Sequence, residues 1–168
     1  MDEVIPIQPI PDEYLKAIGE VTIRWNSLEG LLHLCLIKLL GKDILEGRSH
    51  VVFAHMSFPQ KLDSISALIG ELTNLPANSP LNRYKEEIQP LLKQAQSKRN
   101  LIIHSIWGVD EKGRVCVSSV SARGTLKMKN EPISLKEVQA IPELITQAGM
   151  ELFLSVVYNG KRLPQTGQ

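Results

Sequence analysis

An apolar repeat near the start of the chain constrains the fold more than any other feature. Apolar residues recur at intervals of seven with others between them, so one seam of a helix is apolar for roughly six turns. The seam is Ile18, Val21, Trp25, Leu28, Leu32, Cys35 and Leu39. A second apolar stripe in the later half is Leu31, Leu34, Ile37 and Leu40. A helix that is apolar on two sides lies at the centre of a bundle or is shared with a second subunit, which predicts a homodimer.

Length and charge fit one domain of this kind. The chain has 168 residues, of which 43% are hydrophobic, enough for one buried core. We expect an extended lead-in over residues 1–10, a folded core over 11–158 and a frayed tail over 159–168. Because 19 basic residues face 18 acidic ones, no global field draws the protein to nucleic acid, and any such contact must be local.

Several features predict a soluble, cytoplasmic protein. The acidic, proline-bearing N-terminus is unlike a signal peptide, and the apolar stretch 31–40 is shorter than the ~20 residues of a membrane span. Cys35 and Cys116 are too few for a disulfide framework or a four-thiolate zinc site. His50 and His55 lack a third ligand at suitable spacing, so we expect no metal, no cofactor and a structural or exposed role for both.

The rest of the chain predicts three more main helices and a small sheet. Capping boxes at 57–60 and 134–137 begin two of the helices, and Ser79–Pro80 begins a third that runs to about Ser105 with a kink at Pro90. Residues 42–56 are a connection with a short helical turn. Strands are expected over 107–109, 114–120 and 125–129. The predicted fold is mainly α, an up-and-down four-helix bundle with an antiparallel β meander inserted before the last helix.

One cation lies where that pattern expects an apolar residue. Successive residues of a helix are 100° apart, which places Arg99 in the middle of the core-facing stripe of its helix. The other members of this stripe are Ile88, Leu92, Ala95 and Ile102. Since a buried unpaired charge is strongly disfavoured, Arg99 must meet an acidic partner or face a wet cleft.

Two polar neighbours make this cation a candidate site. Asn100 and His104 lie four residues apart on one face, so the amide can orient the imidazole. Arg99 and His104 diverge by ~140° on a regular helix. To serve one site, either the helix must fray near His104 or a second copy of the chain must complete the site.

This segment resembles the HEPN family (higher eukaryotes and prokaryotes nucleotide-binding). The family signature is an arginine, a polar residue, three to five further residues and a histidine, and Arg99, Asn100 and His104 fit it. The long first helix with Trp25, Leu28 and Glu29 is also similar to the family, over roughly residues 11 to 157 in all. The β meander is not part of the minimal four-helix pattern.

The resemblance implies a homodimer whose Arg–His pairs meet across a groove and, in active members, metal-independent cleavage of RNA. Imidazole near neutrality serves as a base or an acid, and guanidinium matches phosphate oxygens. A second hypothesis is a catalytically silent interaction module, such as the helical partner of a nucleotidyltransferase in a toxin–antitoxin pair. A third is a bundle that binds a small molecule or nucleotide in a pocket closed within one protomer.

Further candidate binding residues each have a structural alternative. Glu29 is expected to pair with Arg99 across helices, with His33 one turn on, or to face solvent. Trp107 is expected to stack on a base or to join the core. The basic residues of the meander either hold a phosphate backbone or protect exposed strand edges, and they include Lys112, Arg114 and Arg123.

Overall fold

The computed structural model describes residues 9–43, 47–72, 80–121 and 127–158. Over these residues the protein is mainly helical, with one small antiparallel sheet. The α-helices are α1 (Asp12–Leu39), α2 (Gly47–Ala54), α3 (Phe58–Glu71), α4 (Gln89–His104) and α5 (Leu135–Leu152). A 3₁₀ turn (Pro80–Asn82) and a π turn (Tyr84–Ile88) precede α4, and a second π turn (Phe153–Tyr158) follows α5.

Three strands form the sheet between α4 and α5. They are β1 (Ile106–Val109), β2 (Val115–Ser121) and β3 (Lys127–Pro132), paired antiparallel in the order β1-β2-β3. The turn after β1 has Gly113 at φ 76°, a left-handed conformation that glycine adopts at little cost. The meander predicted before the last helix is confirmed, with β3 running on to Pro132 because Cys116 pairs with that residue.

The first helix lies at the centre of the bundle, which is one of the two arrangements predicted from its two apolar stripes. It contacts each of the other four α-helices, and its main seam from Val21 to Leu39 is buried. The second stripe is only partly covered, since Ile37 is fully buried while Leu34 and Leu40 are 37% and 45% exposed. The other helices of the same chain therefore cover most of the apolar surface of α1. Part of that surface stays exposed, and the homodimer remains a prediction.

Local signals placed most helix ends correctly. Both capping boxes form: Gln60 accepts a hydrogen bond from the Ser57 amide, and Glu137 accepts one from the Ser134 amide. In α4 the predicted core stripe is buried throughout, with Arg99 half-buried in its middle. The segment that positions Arg99 therefore has the rotation about its axis that the sequence predicts.

One local expectation was wrong and another stays a prediction. Pro90 lies in the first turn of α4 directly after the π turn, and the helical backbone angles of Ile88 and Gln89 make the two segments continuous, so the helix is irregular just before this proline. The kink at Pro90 itself stays a prediction. The connection 42–56 contains a helix of 8 residues, α2, rather than a single turn. The predicted lead-in up to residue 8, the start at Ser79 and the tail 159–168 lie outside the described residues.

One helix is long and apolar enough to cross a membrane by length and composition alone. This helix is Leu135–Tyr158. The most apolar window within it has a mean hydropathy of 1.3, and 44% of that window is buried inside the protein. A core helix passes the same test, so this is weak evidence for a span. This helix is not the apolar stretch 31–40 that was judged too short for a membrane span from the sequence.

Candidate functional site

The candidate site lies at the end of α4, which stops abruptly. Ser105 takes extended backbone angles, φ −87° and ψ 156°, so His104 is the last helical residue. The Trp107 indole donates a 2.8 Å hydrogen bond to the carbonyl of Ile102, one of the last carbonyls that the helix leaves without a partner. This bond fixes the helix end and leaves His104 exposed at its rim.

The Arg99 and His104 side chains meet within one chain. Arg99 Nη1 lies 2.8 Å from His104 Nε2 and donates to Asn100 Oδ1 at 3.1 Å. A divergence of ~140° applies to the directions in which side chains leave a regular helix. The long arginine side chain turns back to an imidazole at the helix end, so no second copy is needed to bring these two groups together.

This contact determines the form of the imidazole. A guanidinium has only donors, so Nε2 of His104 must be the acceptor and its ring proton must lie on Nδ1. While this hydrogen bond is made, Nε2 carries no proton. Asn100 contacts the guanidinium rather than the imidazole, so it orients His104 only through Arg99.

The guanidinium has no acidic partner among the residues that the structure describes. Its central carbon lies 5.3 Å from the centroid of the Trp25 ring, the geometry of a cation–π contact. The Trp25 indole nitrogen donates to Glu29 Oε1 at 3.0 Å. Among the described residues Glu29 forms no ion pair with Arg99 or His33, and its carboxylate and the Arg99 cation both contact Trp25.

Trp25 is the site residue that the sequence analysis missed. Its place in the apolar seam marks it as core, and it is 4% exposed and packs against Phe58 with ring centroids 4.5 Å apart. A signal was present in the i, i+4 spacing of Trp25 and Glu29, which places an indole donor beside a carboxylate on one helix face. Arg99, which contacts the face of the ring, is on another helix, so no local sequence pattern marks this contact.

One edge of the guanidinium has no partner among the described residues. Nη1 is occupied by Asn100 and His104, whereas Nε is buried and has no hydrogen-bond partner in the described part of the chain. Nη2 likewise donates to no described residue. The Nε–Nη2 edge is the fork that binds two oxygens of a phosphate or carboxylate, but because Nε is buried in this conformation a ligand reaches that edge only when the side chains around it move.

The other predicted binding residues are placed variously. Arg114 donates Nε to Asp110 at 2.8 Å, within the turn that joins β1 to β2. Lys112 in the same turn is exposed, and Arg123 lies outside the described residues. Trp107 is half-buried, and its ring meets Tyr14 edge-on with centroids 6.2 Å apart. It anchors the helix end and packs against the core as the structural alternative expected.

The histidines of the first two helices form a separate cluster. His33 lies 4.8 Å from His50 between ring centroids, and burial, with His50 and Lys61 nearby, lowers the pKa of His33. Within the described ranges no group of three histidine, cysteine, aspartate or glutamate residues is placed to hold a metal ion. His55 is exposed and lies outside this cluster.

The chain was also compared with known proteins. No family model matches it, and no curated protein or solved structure gives a significant match. A functional interpretation therefore depends on the residues of the site itself.

Proposed function

We propose that the protein is a HEPN-like RNA-acting protein and a metal-independent endoribonuclease, with α1, α3, α4 and α5 as the helices of an up-and-down four-helix bundle. The observation that carries this proposal is the 2.8 Å contact between Arg99 Nη1 and His104 Nε2 at the exposed end of α4. It places a cation able to bind phosphate beside an imidazole able to act as a base, which are two of the three groups that internal cleavage of RNA requires.

The chemistry follows from these groups. The Arg99 guanidinium binds the scissile phosphate, and its Nη1 turns from His104 to a phosphate oxygen, so that Nε2 of His104 is free to accept the proton of the adjacent 2′-hydroxyl. The 2′-oxygen attacks phosphorus, the bond from phosphorus to the 5′-oxygen breaks, and an acid protonates the leaving oxygen. The products are a 2′,3′-cyclic phosphate and a 5′-hydroxyl, formed without water or metal.

A homodimer supplies the missing acid in this proposal. The described part of one chain offers a single imidazole at the rim of α4, and a neutral imidazole serves as base but not as acid. A second copy facing the same RNA groove contributes a second His104, which is the acid of this mechanism once it has left its own Arg99 and gained a proton. Light scattering at micromolar concentration should give the mass of a dimer, and a monomeric mass would remove this acid from the mechanism.

The cleavage itself is tested with purified protein and single-stranded RNA in excess EDTA, followed by analysis of fragment ends. We expect cyclic phosphate ends from the wild type and a loss of ~10²–10⁴ in rate for His104→Ala. His55→Ala is the matched control, because it removes another exposed imidazole far along the chain. Cleavage that requires magnesium, or that survives in the His104 variant, would contradict the mechanism.

A catalytically silent interaction module is the second candidate, favoured by one further surface. An apolar groove of about 420 Å³ lies between α1 and α5 and is lined by Leu28, Leu31 and Phe153 among others. Beside it Met150 and Leu154 are 60% and 43% exposed, more apolar surface than folding alone requires. If no RNA is cleaved, copurification of a nucleotidyltransferase with the wild type, and its loss in Met150→Glu, would support this candidate.

A further inference from the structure

We propose that Trp25 is a positioning residue that acts through Arg99, and that Glu29 strengthens this action through the indole ring. The contribution to catalysis rests on the proposed function. The placement of Arg99 does not, and is tested separately. In its simplest form, a carboxylate stabilises the cation across an aromatic ring and leaves the cation's donors free.

The first step concerns how Arg99 is fixed. A guanidinium at the end of four rotatable bonds loses its position unless both its plane and its rotation are constrained. The Trp25 face constrains the plane, with the guanidinium carbon 5.3 Å from the ring centroid. Asn100 Oδ1 and His104 Nε2 constrain the rotation by binding Nη1. Without Trp25, only one edge of the group is held.

The Trp25 ring is itself held in a fixed position. Trp25 is 4% exposed, and Phe58 from α3 packs on its ring, so the indole cannot turn away from Arg99 without opening the core. Its N–H is also tied, because it donates to Glu29 Oε1 at 3.0 Å. The ring is therefore preorganised before any ligand arrives.

The third step concerns charge. A carboxylate that accepts from the indole N–H polarises the ring, and a more negative ring face attracts a cation more strongly. A direct ion pair between Glu29 and Arg99 would occupy the guanidinium donors that a phosphate needs. Because Glu29 binds the indole N–H and not the guanidinium, it occupies none of the donors of Arg99.

Three variants separate these contributions. Trp25→Leu removes the ring, and Trp25→Phe keeps a ring face but loses the indole N–H. Glu29→Gln keeps an acceptor for that N–H but loses the charge. Phe53→Leu is the control, because Phe53 is a buried aromatic residue that packs against His33 and not against Arg99. Circular dichroism establishes that each variant is folded.

The first measurement is ¹⁵N and ¹H NMR of the wild-type side chains and requires no substrate. We expect the Arg99 guanidinium protons to be shifted upfield by the Trp25 ring, and His104 Nε2 to resonate as an unprotonated acceptor. Trp25→Leu should abolish the upfield shift and move His104 towards averaging between its tautomers, with Trp25→Phe intermediate. Unchanged signals in Trp25→Leu, or equal changes in Phe53→Leu, would overturn the proposal.

The second measurement is RNA cleavage. We expect Trp25→Leu to lower kcat by about 3- to 30-fold, the range of a partly buried cation–π contact, and Glu29→Gln to lower it less. KM should change little, since the charge of Arg99 remains. Wild-type protein that cleaves no RNA would contradict the proposed function while the NMR result still decides the role of Trp25. A kcat unaffected by Trp25→Leu in an active enzyme would overturn that role.

Discussion

The helical segment that carries the site has an arginine near each end, and their surroundings differ. Arg83, before α4, donates Nε to Glu87 at 2.8 Å and also lies 3.6 Å from a Glu151 oxygen. Among the described residues, Arg99, near the end of α4, contacts uncharged groups: an amide, an imidazole and an indole ring. The Arg83 side chain is half-exposed and its charge is balanced, whereas Arg99 is half-buried and its charge is not.

The presence or absence of a counter-charge distinguishes a structural cation from one that is suited to bind a ligand. A surface ion pair such as Arg83–Glu87 contributes little to stability, and its charge is already balanced by a carboxylate. A cation kept in a partly buried place without a counter-charge has a cost that an arriving anion removes. We therefore expect the same substitution to affect RNA cleavage strongly at Arg99 and hardly at all at Arg83.

The largest expected effect is on RNA. Arg99→Ala should lower the cleavage rate by ~10² or more, because one preorganised donor to a developing oxyanion is worth this much. Arg83→Ala should stay within about twofold of the wild type, because its donors already bind carboxylates. Rates are measured on one single-stranded substrate with EDTA present. Equal losses in both variants would erase the distinction between the two arginines.

A smaller effect should follow from changing the shape of the cation while keeping its charge. Arg99→Lys loses the planar fork and the stacking on Trp25, so we expect roughly a tenfold weaker affinity for single-stranded RNA. Arg83→Lys should bind as the wild type does. Fluorescence anisotropy of labelled RNA measures both, and full affinity in Arg99→Lys would mean that charge alone is used.

Stability should distinguish the two roles of Arg99 itself. Loss of its contact with Trp25 in Arg99→Ala should cost about 1 kcal/mol of unfolding free energy. Removing one partner of a buried ion pair would instead cost ~3–5 kcal/mol. Urea unfolding followed by circular dichroism measures the change, and a loss in the larger range would make Arg99 a structural residue.

The smallest effect concerns acid. The side-chain hydrogen bond from Arg83 holds the pKa of Glu87 below its ordinary value, with the charge of Arg83 adding to it. A lowered folded-state pKa contributes stability above the unfolded pKa and loses it as the pH falls through the folded value. In Arg83→Ala the ¹³C titration of Glu87 should therefore move to higher pH. In Arg99→Ala it should not move.

Much of the frame was predictable because it rests on local patterns. The stripe from Ile88 to Ile102 placed Arg99 correctly, and the glutamine and glutamate of the two capping boxes marked where α3 and α5 begin. The sheet was visible as a change from helical to alternating periodicity. These features depend on residues a few positions apart, so the sequence records them directly.

The remainder depends on contacts that local patterns do not record. The π turn Tyr84–Ile88 involves one extra residue per turn and has no composition of its own. The Trp25–Arg99 contact joins two helices, and its geometry follows from how α1 and α4 pack. The reach of Arg99 back to His104 was missed because helix angles describe where side chains begin and not where long ones end.

The bond from the Trp107 indole to the Ile102 carbonyl makes the β meander inseparable from the end of α4. The sheet is in turn tied to the N-terminal end of α1, since the Tyr14 hydroxyl donates to the Ile133 carbonyl at 3.1 Å. An engineer who trimmed residues 106–132 to obtain a minimal bundle would release the very helix end that presents His104.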